Sequence, residues 1–377
     1  AAALVRWPWA ALPFAVIGGG AAAQLLGATH VGAIVAVHAI LLALGFGTAL
    51  ARARFDPAWH RVRTPADLPM LVLAAAVPVG AAYGLTVGNA PHHVVVAAYE
   101  IGIVPAYFFL ATVTLAAAGD RRRAGLLFAV GAGAMALVGL MQTGRHGGLY
   151  SLVALVPVLA AASTASGSRR RWLLSLAALL ALDVVLAGYR AIWVAAVVAL
   201  AVALVRGSGA VRRTVVSCAV GTALLGATLV LAGPNAVGAR AAVAASELTK
   251  SAGYRLPESA VGWHVFLGNP LVGGGFGHVE PNRFIPGFGI VDVGPIYHAF
   301  YVTLLANAGI VGLALFAWPL VRALRSCVEA REPALPFRAL LLGFAAAAVF
   351  AAPTDGHWEL GALIALPLLA GRRSAPA

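Results

Sequence analysis

The side chains able to do chemistry in this 377-residue chain are few, and they concentrate late. A polar, glycine-rich segment runs from about Pro234 to Pro295. It carries Arg255, Trp263-His264 and the run Asn269-Pro270-Leu271-Val272-Gly273-Gly274-Gly275-Phe276-Gly277, and Tyr297-His298 follow directly. Upstream stand Arg145, in Gly144-Arg145-His146-Gly147-Gly148, and Arg190, in Gly188-Tyr189-Arg190-Ala191-Ile192-Trp193. Glu100 and Asp183 interrupt apolar runs about two helical turns, roughly 10 Å, below the same surface. Fixed arginines can neutralise a diphosphate through pairs of charge-assisted hydrogen bonds. A histidine at the same depth can take a proton from a hydroxyl. Arginines clustered at a membrane surface suit a substrate with a lipid tail and an anionic head, such as a polyprenyl-diphosphate-linked glycan.

Plainer roles compete for each residue. Glu100 and Asp183 can simply neutralise buried arginines or hydrogen-bond neighbouring helices, although ionisable groups within a membrane are functional suspects. Arg190 and Arg145 can be interfacial anchors. Arg255 can pair with Glu258 three residues on. His264 and His278 read as structural. The glycine run lacks the Lys-Ser/Thr of a nucleotide-binding loop, which leaves open a backbone nest for an anion. No His, Asp, Glu or Cys spacing suggests a metal site, and no cofactor is expected.

The elements that must position these residues are membrane helices. The chain is 61% hydrophobic and only 10% charged, with a mean hydropathy of +0.91. Runs of about twenty apolar residues recur along it, so the fold class is an all-α polytopic membrane protein. Twelve transmembrane helices are predicted, at about 9–27, 31–50, 69–88, 94–118, 125–143, 149–167, 172–189, 191–206, 214–233, 299–321, 339–353 and 358–371. Residues 1–233 thus hold nine spans, 234–298 one large extracytoplasmic loop with short helices near 240–252 and 255–268, and 299–377 three more spans. With the N-terminus inside, all but six of the 26 Lys and Arg residues fall in inside loops; the six are Arg145, Arg190, Arg240, Lys250, Arg255 and Arg283. The positive-inside rule therefore puts both termini in the cytoplasm and the long loop outside. The net charge of +13 is explained by those loops, so no nucleic-acid partner is inferred. Cys218 is read into a helix and Cys327 into an inside loop, with no disulfide between them. No cleavable signal peptide is expected.

These motifs resemble the O-antigen ligase / Wzy-type polymerase superfamily of bacterial membrane glycosyltransferases. Arg255, Trp263 and Asn269 to Gly277 look like the family's Arg, Trp and Pro-apolar-apolar-Gly-x-Gly pattern. Tyr297-His298-Ala299-Phe300 through Gly309-Ile310-Val311-Gly312 looks like its His-Asn and Gly-apolar-apolar-Gly stretch. The segments around Arg145 and Arg190 look like its Gly-Arg and Ser-Arg-Gly-Ala-Trp segments. Ala299 departs from the frequent Asn after the His, and Tyr189 and Ala191 depart from Ser and Gly. The resemblance implies a metal-independent, inverting transfer in the bacterial inner membrane. The donor would be an undecaprenyl-diphosphate-linked glycan, and the acceptor a glycan or lipid-linked hydroxyl, as in lipopolysaccharide or other polysaccharide synthesis. It further implies His298 as base, Arg145, Arg190 and Arg255 on the diphosphate, and supporting roles for Glu100, Asp183, Gly273, Gly275 and Tyr297. Ligase and polymerase share this chemistry. A proton-coupled transporter of lipid-linked glycans is the competing class, with Glu100 and Asp183 as its relay; pseudo-symmetric halves, which that class usually shows, are not evident.

Overall fold

A computed structural model describes residues 6–26, 31–56, 61–141, 148–231, 238–239, 241–242, 245–246, 255–285, 288–329, 335–348 and 359–370. A short 3-10 turn, Pro8–Ala10, leads into helices α1 (Ala11–Leu26), α2 (Val31–Phe55), α3 (Asp67–Thr86), α4 (Pro91–Thr114), α5 (Ala118–Met141), α6 (Leu149–Thr164), α7 (Gly167–Leu186), α8 (Arg190–Arg206) and α9 (Gly209–Leu231). Then come α10 (Arg255–Gly268), strands β1 (Glu280–Ile285) and β2 (Gly289–Val293), and helices α11 (Phe300–Glu329), α12 (Leu335–Ala347) and α13 (Glu359–Ala370). A helix thus stands at each of the twelve predicted positions. Among the described residues six are long and apolar enough to cross a membrane by those criteria alone: 32–55, 67–86, 91–114, 118–140, 209–229 and 300–327.

Helices α4, α6 and α13 form the centre. Nearly all of α6 from Leu149 to Ala162 is buried, and Tyr107, Phe108 and Leu110 of α4 are fully enclosed. Around them α2, α3, α5 and α9 turn Leu50, Val79, Leu137 and Leu224 outward. A soluble protein would not leave so much apolar surface uncovered; lipid chains solvate it at no cost. With no hydrophobic drive between helices in lipid, close packing rests on small residues. A Cβ at position 343 would stand 2.5 Å from the Ala195 carbonyl oxygen, so Gly343 allows α12 and α8 to meet along their backbones. Gly361 lets α13 approach Val104 and Phe108 of α4. A buried polar link, not anticipated from sequence, joins three helices: His38 Nδ1 of α2 lies 3.2 Å from the Tyr107 hydroxyl of α4, which donates to the Ala15 carbonyl of α1.

The ends of the bundle differ chemically. At one end Arg52 pairs with Asp56 and Arg61 with Asp67, and Arg121 donates to the Leu115 and Ala116 carbonyls. At the other end lie the α3–α4 turn, the α7–α8 turn, the start of α11 and the end of α12, where the Phe300 N–H donates to the Ala348 carbonyl. The loop elements sit on this second end.

Three expectations need correction. Besides a helix, the loop holds an antiparallel hairpin in which Arg283 pairs with Val291 and Phe284 with Ile290; its alternation is too short to stand out beside long apolar runs. His298, whose position reads from sequence as the beginning of the helix that re-enters the membrane, lies two residues ahead of α11. Helix α11 continues past the predicted end at 321, so Cys327 is a buried helical residue and not part of a loop; a helix that outruns the membrane keeps its amphipathic face. Gly309, with φ of 62°, kinks that helix. The helix expected near 240–252 falls largely outside the described residues.

Gly343→Leu should separate α8 from α12 and cost about 1–3 kcal/mol by overpacking, read as a lower thermal midpoint in detergent. Gly125→Ala, where an added Cβ meets nothing within 4 Å, should leave the midpoint unchanged or raise it.

Candidate functional site

Helix α10 is placed by one face. Glu258, Gly262 and Val265, spaced as helix neighbours, are buried against a small cluster of Val265, Ile285, Val293, Tyr297 and Ala306. Gly262 makes this possible: an added Cβ would come within 2.6 Å of Val302 and 2.8 Å of the Tyr297 ring. One turn earlier, the same face carries Glu258 beneath His298.

Glu258 Oε2 accepts the His298 backbone N–H at 3.0 Å and lies 2.6 Å from His298 Nδ1. The carboxylate is almost completely enclosed, whereas the imidazole keeps 39% of its surface exposed. Burying an unpaired carboxylate would be costly, and here two donors and the first turn of α10 compensate. An ionised carboxylate only accepts, so a neutral imidazole in this contact would carry its proton on Nδ1 and its lone pair on Nε2. Glu258 thus holds the ring angle of His298 from below. From sequence, Glu258 entered only as one possible partner for Arg255 three residues away; the structure places it against His298. A carboxylate on the apolar inner stripe of an amphipathic helix was the available signal.

Arg255 opens α10 and is partly buried. Arg190 opens α8, after a turn in which Gly188 has φ of 74° and the Trp193 Nε1–H donates to the Val184 and Val185 carbonyls. A guanidinium at a helix N-terminus opposes the helix dipole, so its placement adds to the attraction for anions rather than to helix stability. Helices α8 and α12 meet at Ala195 and Gly343, each five residues from Arg190 and Ala348 respectively. Ala348 in turn accepts from Phe300. This chain of contacts puts Arg190 at the same end of the bundle as His298.

Arg145 lies outside the described residues. The next described residue, Gly148, packs against the Asp183 carbonyl and Ala187 at the end of α7. Asp183 is buried and accepts the Ser151 hydroxyl at 2.7 Å, bridging α6 and α7. Glu100 sits nine residues into α4, partly buried, and no described contact links it to His298.

Tyr297 is fully enclosed, and its hydroxyl has no hydrogen-bond partner among the described residues. Burial, reinforced by the Glu280 and Glu258 charges, pushes its phenol well above the usual range. Its role is to pack α10 against α11.

The glycine run is a wedge between helices. The Gly273 N–H donates to Asn269, the Gly274 N–H to Ala306 and the Gly277 N–H to the Asn307 side chain. Gly273, Gly275 and Gly277 all have positive φ, and at Gly273 and Gly277 backbone neighbours stand too close for a side chain. Three of the run's amides are so engaged and are taken up by protein rather than offered to the anion-binding nest considered from sequence. Two amides unremarked in the sequence hold the wedge. Asn89 donates to the Gly274 and Phe276 carbonyls, and Asn307, buried in α11, bridges Gly277 and the Pro295 carbonyl. Lone amides in apolar runs were the signal. Beyond the wedge, partial burial opposes ionisation of Glu280, yet hydrogen bonds from His278 and Arg283 hold its carboxyl below the usual range.

The fold and site together define a helical membrane protein with an oriented histidine at the arginine-bearing loop end. Residues 175–317 match the family model for O-Antigen ligase, and over that stretch the chain is similar to that family. The match contains Asp183, Arg190, Arg255, Glu258 and His298 and supports an O-antigen ligase- or polymerase-like membrane function. No curated protein matches the chain.

Three substitutions test the site. Glu258→Gln should lower kcat roughly 10- to 100-fold by loosening the imidazole, with KM little changed, as measured by steady-state kinetics. Asn307→Ala should strand a buried N–H and a carbonyl, costing about 1–3 kcal/mol of thermal stability. Tyr297→Phe removes an unsatisfied hydroxyl and should keep or raise the thermal midpoint.

Proposed function

We propose that this protein transfers a glycan from an undecaprenyl-diphosphate-linked donor to an acceptor hydroxyl on the extracytoplasmic face of a bacterial inner membrane. The observation that carries the reading is the buried Glu258 carboxylate aligning His298 at the end of the bundle that also bears Arg190 and Arg255. In this reading twelve helices span the membrane, both termini are cytoplasmic, and the arginine-rich helix ends face inward.

The step follows from the chemistry of the groups. His298 Nε2 takes the acceptor's proton as its oxygen attacks the anomeric carbon. The bond from that carbon to the diphosphate oxygen breaks with inversion. The negative charge gathering on polyprenyl diphosphate is met by Arg190, Arg255 and Arg145. Glu258 stabilises the imidazolium that forms, and the proton is released afterwards. Asp183 positions α6 against α7 rather than touching substrate. Ligase- and polymerase-type transfer share every one of these steps and differ in acceptor.

The test is turnover of a polyprenyl-diphosphate oligosaccharide by purified protein in EDTA. Wild type should release polyprenyl diphosphate. His298→Ala should lose roughly 10²–10⁴-fold in rate, and Arg190→Ala and Arg255→Ala should lose about 10²-fold or more. Product length separates polymerase from ligase. Lipid binding and translocation without any covalent product would favour a transporter and overturn the reading.

A further inference from the structure

The outward side of α10 and the turn after it is apolar. Leu256, Ala260, Trp263, Leu267 and Leu271 recur at helical spacing, and the four large ones are 72%, 48%, 60% and 65% exposed. His264 is the one polar residue among the exposed positions from 256 to 272. In water this would be an uncovered hydrophobic patch.

Its anchorage shows what solvates it. The turn after α10 is tied into α11: the Ile310 and Val311 N–H groups donate to the Pro270 and Leu271 carbonyls at 2.9 and 3.2 Å. Those residues lie roughly 15 Å along α11 from Phe300, and the apolar stretch of that helix ends only at Arg322. The hydrocarbon core is about 30 Å thick, so the junction lies near mid-depth. On its other flank the Phe276 ring packs on Gly80, roughly 9 Å before the end of α3. Irregular backbone survives at such depth only when its polar groups are satisfied by protein. Here Asn89, Ala306, Asn307, Ile310 and Val311 do so. The exposed stripe continues into Ile310 and Val311, on the outer flank of a membrane-length helix.

We propose that residues 256–277 form a re-entrant segment that dips into the loop-side leaflet, with the Leu256–Trp263–Leu267–Leu271 stripe against the acyl chains of the bilayer. His298 and Glu258 then stand at the headgroup level, above a floor of protein and lipid. The proposal rests on the helices spanning a membrane and not on glycosyl transfer, so its test needs no turnover.

Single cysteines for nitroxide labelling are placed at Ala260 and Leu267 in a Cys218→Ala, Cys327→Ala background, in proteoliposomes. Leu224 on α9 serves as lipid reference and Ser208 as aqueous reference, both exposed. Collisions with oxygen relative to a water-soluble nickel chelate should exceed the Ser208 ratio several-fold at both sites and match Leu224. A ratio equal to that at Ser208 overturns the proposal. A second measurement leaves the cysteines intact. Brominated phosphatidylcholine should quench wild-type tryptophan fluorescence more than that of Trp263→Phe; equal quenching counts against lipid contact.

Discussion

A negative charge buried beneath an imidazole is the interaction on which the site's geometry depends. Glu258 can be enclosed only because His298 supplies two donors to one carboxylate oxygen. His298 can supply them only because Tyr297 and Thr303 fix the backbone ahead of α11, where the Tyr297 N–H donates to the Thr303 hydroxyl. Removing either side of this pair leaves an unsatisfied charge or an unoriented ring. The glycines at 262, 273 and 277 are the steric counterpart, since each marks a place where α10 or the turn after it must touch another backbone or ring.

That requirement explains an architecture in which a loop is built like a core. Peptide groups set among membrane helices must find partners within the protein. The stretch from Asn269 to Gly277 finds them in α11 and in the α3–α4 turn. The kink at Gly309 opens α11 where the Pro270 and Leu271 carbonyls enter. Helix interruption and loop insertion are therefore two halves of one hydrogen-bonding arrangement.

Much of the fold was legible because membrane helices advertise themselves by length and apolarity, and a helix occurs at every predicted position. Positions such as His298 and Arg190 were legible as charges out of place in an apolar chain. The hairpin was missed because its two strands, six and five residues long, are too short for alternation to compete with turn-forming glycine and proline. The role of Glu258 was missed because a three-residue spacing to Arg255 is visible in sequence, whereas its forty-residue reach to His298 depends on how α10 lies. Asn89 and Asn307 were passed over because an amide shows its importance only once its carbonyl and amide partners are in place.

The central position of α13 bears on how the molecule is made. This helix is the last of those described, yet it lies against Val104 and Phe108 in the middle of the bundle, next to the most enclosed residues of α4. Helices emerging earlier from the ribosome must hold that slot open or hold it loosely. The backbone tie from Phe300 to Ala348 also waits for α12. A nascent chain can therefore insert the earlier helices with His298 and the arginines still unaligned, and the assembled geometry arrives only once α12 and α13 have joined them.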